Sequence, residues 1–270
     1  MNARVPSIEL EPAPLGLLPK LAAGPAALLR SGRRMRRTSV FLAQASAHIR
    51  RELLPLPDTA ANTRRRQGYM HFMAGNLCAL SGFEVRVRGP VPSAEASCVL
   101  MCNHISWQDP LLIADVLPTV AIAKREVGRW PVVGDIASGL GMLLVERGCA
   151  HSGAKVLLRA RRTLLDGGSV LTFPEGTTSY GESILPFHRG MFGLAQRLDI
   201  PVTPIALRYF HANAGWVGDA NFLPHYLETV GRPRTVAELH FGAPMGARAG
   251  ERAEDFAARV REAMLALYRS

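Results

Sequence analysis

The sequence predicts an α/β domain with a mixed central sheet flanked by helices, preceded by an N-terminal amphipathic helical region of a kind that can lie on a membrane. Three observations lead there. From residue 83 onward, short β-rich runs alternate with helical patterns, the order that builds a sheet covered by helices. Two arginine-edged helical patterns come before that run. The chain has 270 residues, 48% hydrophobic and 20% charged, enough for a substantial core and far from a disordered composition.

Taken in order, residues 1–37 read as a mobile or surface-seeking leader rich in Pro, Leu and Arg. Residues 38–53 follow a helical pattern, with Phe41, Leu42, Ala45, Ile49 and Leu53 on one face. Residues 54–63 read as a linker. Residues 67–82 are helical again, with Tyr69, Met70, Met73, Leu77 and Leu80 near the 3.6-residue period and Gly82 as C-cap. The boundary is therefore drawn at residue 66, with a leader over 1–66 and the main domain over 67–270. Strands are expected at 83–89, 97–101, 119–124, 142–147, 169–173, 201–210 and 237–244. Helices are expected at 109–117, 154–168, 189–199 and 252–270.

The net charge is +10. Residues 1–66 hold twelve of the basic residues against four acids, so most of the excess sits in the first quarter. Such a leader suits an anionic surface, either lipid or nucleic acid. Few aromatics accompany the basic residues and no nucleic-acid motif is visible, which argues against nucleic acid. The two helices could instead simply pack on the core. The longest apolar run, 12–29, contains Lys20 and is broken by Pro14, Pro19 and Pro25, so it is not a spanning helix. Cys78, Cys98, Cys102 and Cys149 show no metal or redox spacing and read as free thiols.

The chemistry starts at "MCNHISWQDP" (101–110). An apolar strand ends there on Asn103 and His104, with Asp109 five residues past the histidine. If the turn is compact, Asp109 reaches the imidazole and leaves its other nitrogen free as a base. No G-x-S-x-G nucleophile is present, so the base would act on a hydroxyl of the substrate itself. Alone, H-x-x-x-x-D is weak, and an isolated His near a strand end is usually structural. Three further strand ends add polar groups. "FPEGTT" (173–178) places Pro174, Glu175, Gly176 and Thr177 in a tight turn. "GMLLVER" (141–147) ends on Arg147, and "AIAK" (121–124) ends on Lys124.

These blocks together resemble the glycerolipid acyltransferases, the family of bacterial 1-acyl-glycerol-3-phosphate acyltransferases. "NHISWQD" is similar to its N-H-x-x-x-x-D block, "GMLLVER" to its second, "FPEGTT" to its third and "IPVTPIAL" (200–207) to its fourth. The resemblance implies that His104 takes the proton from a lysolipid hydroxyl while Asp109 orients it. The hydroxyl then attacks the thioester of acyl-CoA or acyl-carrier protein, the co-substrate, with no cofactor and no metal. Asn103, Pro110 and Pro174 shape the turns. Glu175, Gly176 and Thr177 belong to the acceptor site, Arg147 is a head-group clamp, and Lys124 is a candidate oxyanion partner.

One position departs from the family. Its third block usually ends in Arg, and here the residue is Thr178. Arg189 is a candidate substitute for the lost phosphate partner. The resemblance implies lysophosphatidate as the first acceptor. Lyso-ornithine lipid is the alternative, because "FPEGTTSYG…LPFHRGMF" is similar to the branch that acylates it. A thioesterase or esterase acting on water, or a membrane-binding protein with an idle site, would be the rivals. Membrane lipid is the expected partner and the cytoplasmic face of the membrane the expected location, with peripheral attachment.

Overall fold

The computed structural model describes residues 24–211, 213–218 and 220–270. Two N-terminal helices come first: α1 (Pro25–His48), extended by a π-helical turn Ile49–Leu53, and α2 (Ala60–Ser81). There follow β1 (Phe83–Arg88), β2 (Val99–Cys102), α3 (Asp109–Val116), β3 (Val120–Lys124), α4 (Val133–Gly139), β4 (Leu143–Val145), α5 (Ala150–Leu165) and β5 (Val170–Thr172). The chain ends with α6 (Gly190–Leu198), β6 (Val202–Tyr209), α7 (Phe222–Gly231), β7 (Thr235–Phe241) and α8 (Ala253–Arg269).

The strands form one seven-stranded sheet in the order β1-β7-β6-β2-β5-β3-β4. Every pairing is parallel except β6 with β7, so the sheet is mixed, as expected. All four residues of β2 are buried, the signature of a central strand covered on both faces. Alternation along β2 divides the core. Leu100 and Cys102 face Leu112 and Ile113 of α3 and Cys78 of α2. Val99 and Met101 face Val156, Ala160 and Leu164 of α5, Phe192 of α6, and Phe256 and Val260 of α8.

The N-terminal helices are built into this domain. Ala45, Ile49 and Leu53 are buried in one cluster with Met70, Met73 and Ala74 of α2, Ala114 of α3, and Ile136 and Leu140. Residue 66 lies inside α2, so the boundary drawn there cuts a helix. Of the expected leader, residues 1–23 lie outside the described residues, and 25–37 are helical. Pro25 at the first position and the Ala, Leu and Arg that follow favour that helix. Arg34 donates to the carbonyls of Val230, Arg232 and Pro233, and Arg30 to that of Gly231. Two of the arginines assigned to a surface leader thus cap the C-terminal end of α7.

Candidate active site

β2, β5, β3 and β4 are mutually parallel neighbours, so their C-terminal ends share one edge of the sheet, where open α/β sheets build sites. All four sequence blocks that carry polar groups leave the sheet there. β6, parallel to β2, brings a fifth strand end to the same edge.

His104 and Asp109 meet. The His104 Nδ1 lies 2.8 Å from Asp109 Oδ2. Asp109 opens α3 and is fully buried. Its Oδ2 also accepts the backbone N–H groups of Ile105 at 2.6 Å and Ser106 at 2.8 Å. Its Oδ1 accepts the Tyr209 hydroxyl at 2.6 Å. The turn 103–108 is therefore wound around the carboxylate, and Pro110 fits the first turn of α3, where no N–H is missed. With Nδ1 held by the carboxylate as a donor, the Nε2 of His104 is left with its lone pair. The His104 ring stacks on Phe173, centroids 4.0 Å apart and planes 16° apart, which fixes its plane.

Asn103 is buried and clasps β6 in both directions. Its Nδ2 donates to the Leu207 carbonyl at 3.0 Å and its Oδ1 accepts the Leu207 N–H at 2.7 Å. Glu175 is also buried. Its Oε1 accepts the His104 N–H at 2.9 Å and its Oε2 the Leu185 N–H at 3.0 Å. Glu175 thus braces the β5 loop against the β2 loop. Burial pushes its carboxyl above the usual carboxylate range, and the two N–H donors draw it back in part. Gly176 has φ +70°, and a Cβ there would lie 2.8 Å from the His188 ring. Pro174 is buried and accepts the His188 N–H, while Thr177 is exposed.

The Acyltransferase family model matches residues 84–208. The chain is 33% identical over 232 residues to the lyso-ornithine lipid O-acyltransferase of Pseudomonas aeruginosa, covering 84% of this chain and 88% of that protein. It is 29% identical over 178 residues to the 1-acyl-sn-glycerol-3-phosphate acyltransferase of Neisseria meningitidis, covering 66% of this chain and 68% of that one. The chain belongs to the acyltransferase family. Its fold is similar to the crystal structure of the 1-acyl-sn-glycerophosphate acyltransferase PlsC from Thermotoga maritima, with a TM-score of 0.66 at 20% identity, covering 90% of this chain and 95% of that one.

The remaining expected residues of this acyltransferase stand apart from the dyad. Lys124 and Arg147 end β3 and continue from β4 on the same edge, roughly 10 and 14 Å across the sheet from β2 at the usual strand spacing. Lys124 pairs loosely with Glu126 at 3.9 Å. Arg147 is solvent-accessible and makes no ion pair among the described residues. Local desolvation lowers its pKa, and Glu126 opposes that shift. Arg189, expected to replace the missing arginine at position 178, is ion-paired with Glu254 of α8. Tyr209 and Phe173 were not foreseen. Tyr209 is a hundred residues from Asp109 in sequence, and only the parallel pairing of β6 with β2 brings them together.

Proposed function

We propose that this acyltransferase moves a fatty acyl group from acyl-CoA or acyl-carrier protein to the free hydroxyl of a lysolipid. The observation that carries the reading is the buried Asp109 carboxylate, which holds the Nδ1 of His104. The Nε2 of His104 takes the hydroxyl proton as the oxygen attacks the thioester carbonyl. The tetrahedral intermediate collapses, the C–S bond breaks, and the leaving thiolate takes the proton back from His104. Asp109 stays hydrogen-bonded to Nδ1 throughout and stabilises the imidazolium. No acyl-enzyme forms.

We place lyso-ornithine lipid ahead of lysophosphatidate as the acceptor, reversing the order expected from the blocks alone. Three relatives named lyso-ornithine lipid O-acyltransferase support this, at 33%, 31% and 29% identity. So do Thr178 in place of an arginine and the Arg189–Glu254 ion pair, which occupies the cation expected to compensate. Arg147, exposed at the edge, favours lysophosphatidate as the second reading.

Peripheral attachment to the cytoplasmic face of the membrane completes the reading. None of the described helices is long and apolar enough to cross a membrane. Leu29, Arg33, Arg36 and Val40 are exposed and share one outer face of α1 by their spacing. The test of the acceptor is acyl transfer from a labelled donor with both lysolipids offered in parallel. Product with lyso-ornithine lipid and little with lysophosphatidate is expected. The reverse preference would overturn the order, and acyl release to water without either acceptor would mark a thioesterase.

A further inference from the structure

Helix α5 is charged in one sense only. It carries Lys155, Arg159, Arg161 and Arg162 and no aspartate or glutamate between Ala150 and Leu165. Its inner stripe, Val156, Ala160 and Leu164, is buried against the sheet. Its outer face exposes Leu158 (68%) and Leu165 (55%) among the cations. Arg162 pairs with Asp166, whereas Lys155, Arg159 and Arg161 make no ion pair among the described residues. An ordinary solvated helix face mixes both signs and hides its leucines.

The position of this face matters as much as its charge. The N-terminal half of α5 borders a groove walled by His151, Lys155, Arg159 and the ion-paired Arg125 and Glu146, and floored by Leu144 and Val156. Leu144 lies on β4, whose C-terminal end leads to Arg147 on the edge that carries the dyad. That edge puts β4 roughly 14 Å from β2, a span for a flexible thioester arm. α5 packs on the Val99–Met101 face of the sheet, whereas the α1–α2 pair reaches the core beside α3 on the other. At its C-terminal end α5 meets the start of α2, where Arg162 donates to the Asp58 carbonyl.

We propose that the outer face of α5 docks the acidic surface of a protein that carries the acyl thioester. This inference rests on the acyl-transfer reading of the site. Beyond the groove, Arg161 and Arg162 carry the charge on along the helix, and this length suits an extended acidic partner better than the phosphates of a single nucleotide. Leu158 and Leu165, one heptad apart on the same stripe, supply the apolar anchors.

The test uses the full chain and acyl-charged acyl-carrier protein labelled for fluorescence anisotropy. Wild type is expected to bind it, more weakly as salt is raised, and Lys155→Glu/Arg159→Glu is expected to lose about tenfold or more in affinity. Leu158→Ser, an exposed substitution checked for native melting, is expected to weaken binding without changing its salt dependence. Turnover of acyl-carrier protein should fall with the charge reversal, while turnover of acyl-CoA stays within about twofold of wild type. Absence of binding by wild type, or unchanged binding by the variants, would overturn the proposal. Equal losses with both donors would assign the cations to the CoA phosphates, and lost sedimentation with vesicles would assign them to lipid; either result overturns it. Binding as expected with no transfer to any lysolipid would leave the docking intact and refute the acyl-transfer reading instead.

Discussion

The Tyr209 hydroxyl donates to Asp109 Oδ1 at 2.6 Å, the carboxylate oxygen that His104 does not use. Tyr209 is the last residue of β6, so the strand that pairs beside β2 also fixes the carboxylate from its far side. Burial and the neighbouring Asp109 charge push the phenol well above its ordinary pKa, which keeps it a donor at any working pH. Hydrogen bonds to charged groups contribute about 1.5–3 kcal/mol. We predict that Tyr209→Phe lowers kcat by about tenfold or more with KM little changed. Steady-state kinetics check this, and an unchanged kcat would reduce Tyr209 to packing.

Asn103 satisfies both backbone groups of Leu207. Asn103→Ala would leave a buried N–H and a buried C=O unpartnered, each costing about 1–3 kcal/mol. The expected result is a destabilisation of about 2–4 kcal/mol in urea denaturation. Asn103→Asp would bury a carboxylate against the Leu207 carbonyl and should be destabilised at least as much as Asn103→Ala.

At Gly176 the positive φ and the His188 ring leave no room for a side chain. We predict that Gly176→Ala costs about 1–2 kcal/mol of stability and lowers activity, because Glu175 next to it braces the His104 backbone. Melting and kinetics measured on the same variant should move together; lost stability with full activity would separate the turn from the site.

His211 is held neutral by burial, with Arg232 and His225 adding to the effect, and its pKa falls from 6.5 to about 4. A histidine whose folded pKa is depressed contributes stability that is present above the unfolded value and lost as pH falls through the folded one. Wild type should therefore lose stability relative to His211→Gln between pH 6.5 and about 4. Parallel melting curves across that range test it, and a constant difference between the two proteins would contradict it.

Removing residues 1–66 to test membrane binding would take away Ile49 and Leu53, which are buried in the core, and should unfold the protein. The exposed cations of α1 are the better probe. Arg33→Glu/Arg36→Glu/Arg37→Glu is expected to abolish sedimentation with anionic vesicles, since each basic residue near such a surface contributes about 1 kcal/mol. Retained sedimentation would move the lipid contact elsewhere.

The sheet was legible because its strands are short apolar runs with clear ends, as in "SCVLM" before the His104 turn. The His104–Asp109 pairing was legible because the two residues are close in sequence and the turn between them is local. What escaped was set by packing. The fate of Arg30 and Arg34 depends on α7, whose residues Phe222–Gly231 include Pro224 and follow a glycine-containing loop, so no helix was expected there. The two roles of a basic helix, facing lipid or capping a neighbour, look alike in a one-dimensional pattern. Glu175 is assigned to the acceptor site by the family resemblance alone, which carries no information on what its carboxylate bonds within the fold. Its two backbone partners, His104 and Leu185, come from other segments. Tyr209 carried no sequence signal, because its partner is fixed by strand pairing rather than by spacing.

In the proposed reaction everything turns on His104 taking the proton of the acceptor hydroxyl. The most direct test is single-turnover acyl transfer to a lysolipid by His104→Ala, beside wild type, with melting used to verify the fold. A loss of about 10²–10⁴-fold or more in the rate of transfer is expected, with binding of the lysolipid preserved. Transfer at a near-native rate by the folded variant would contradict it.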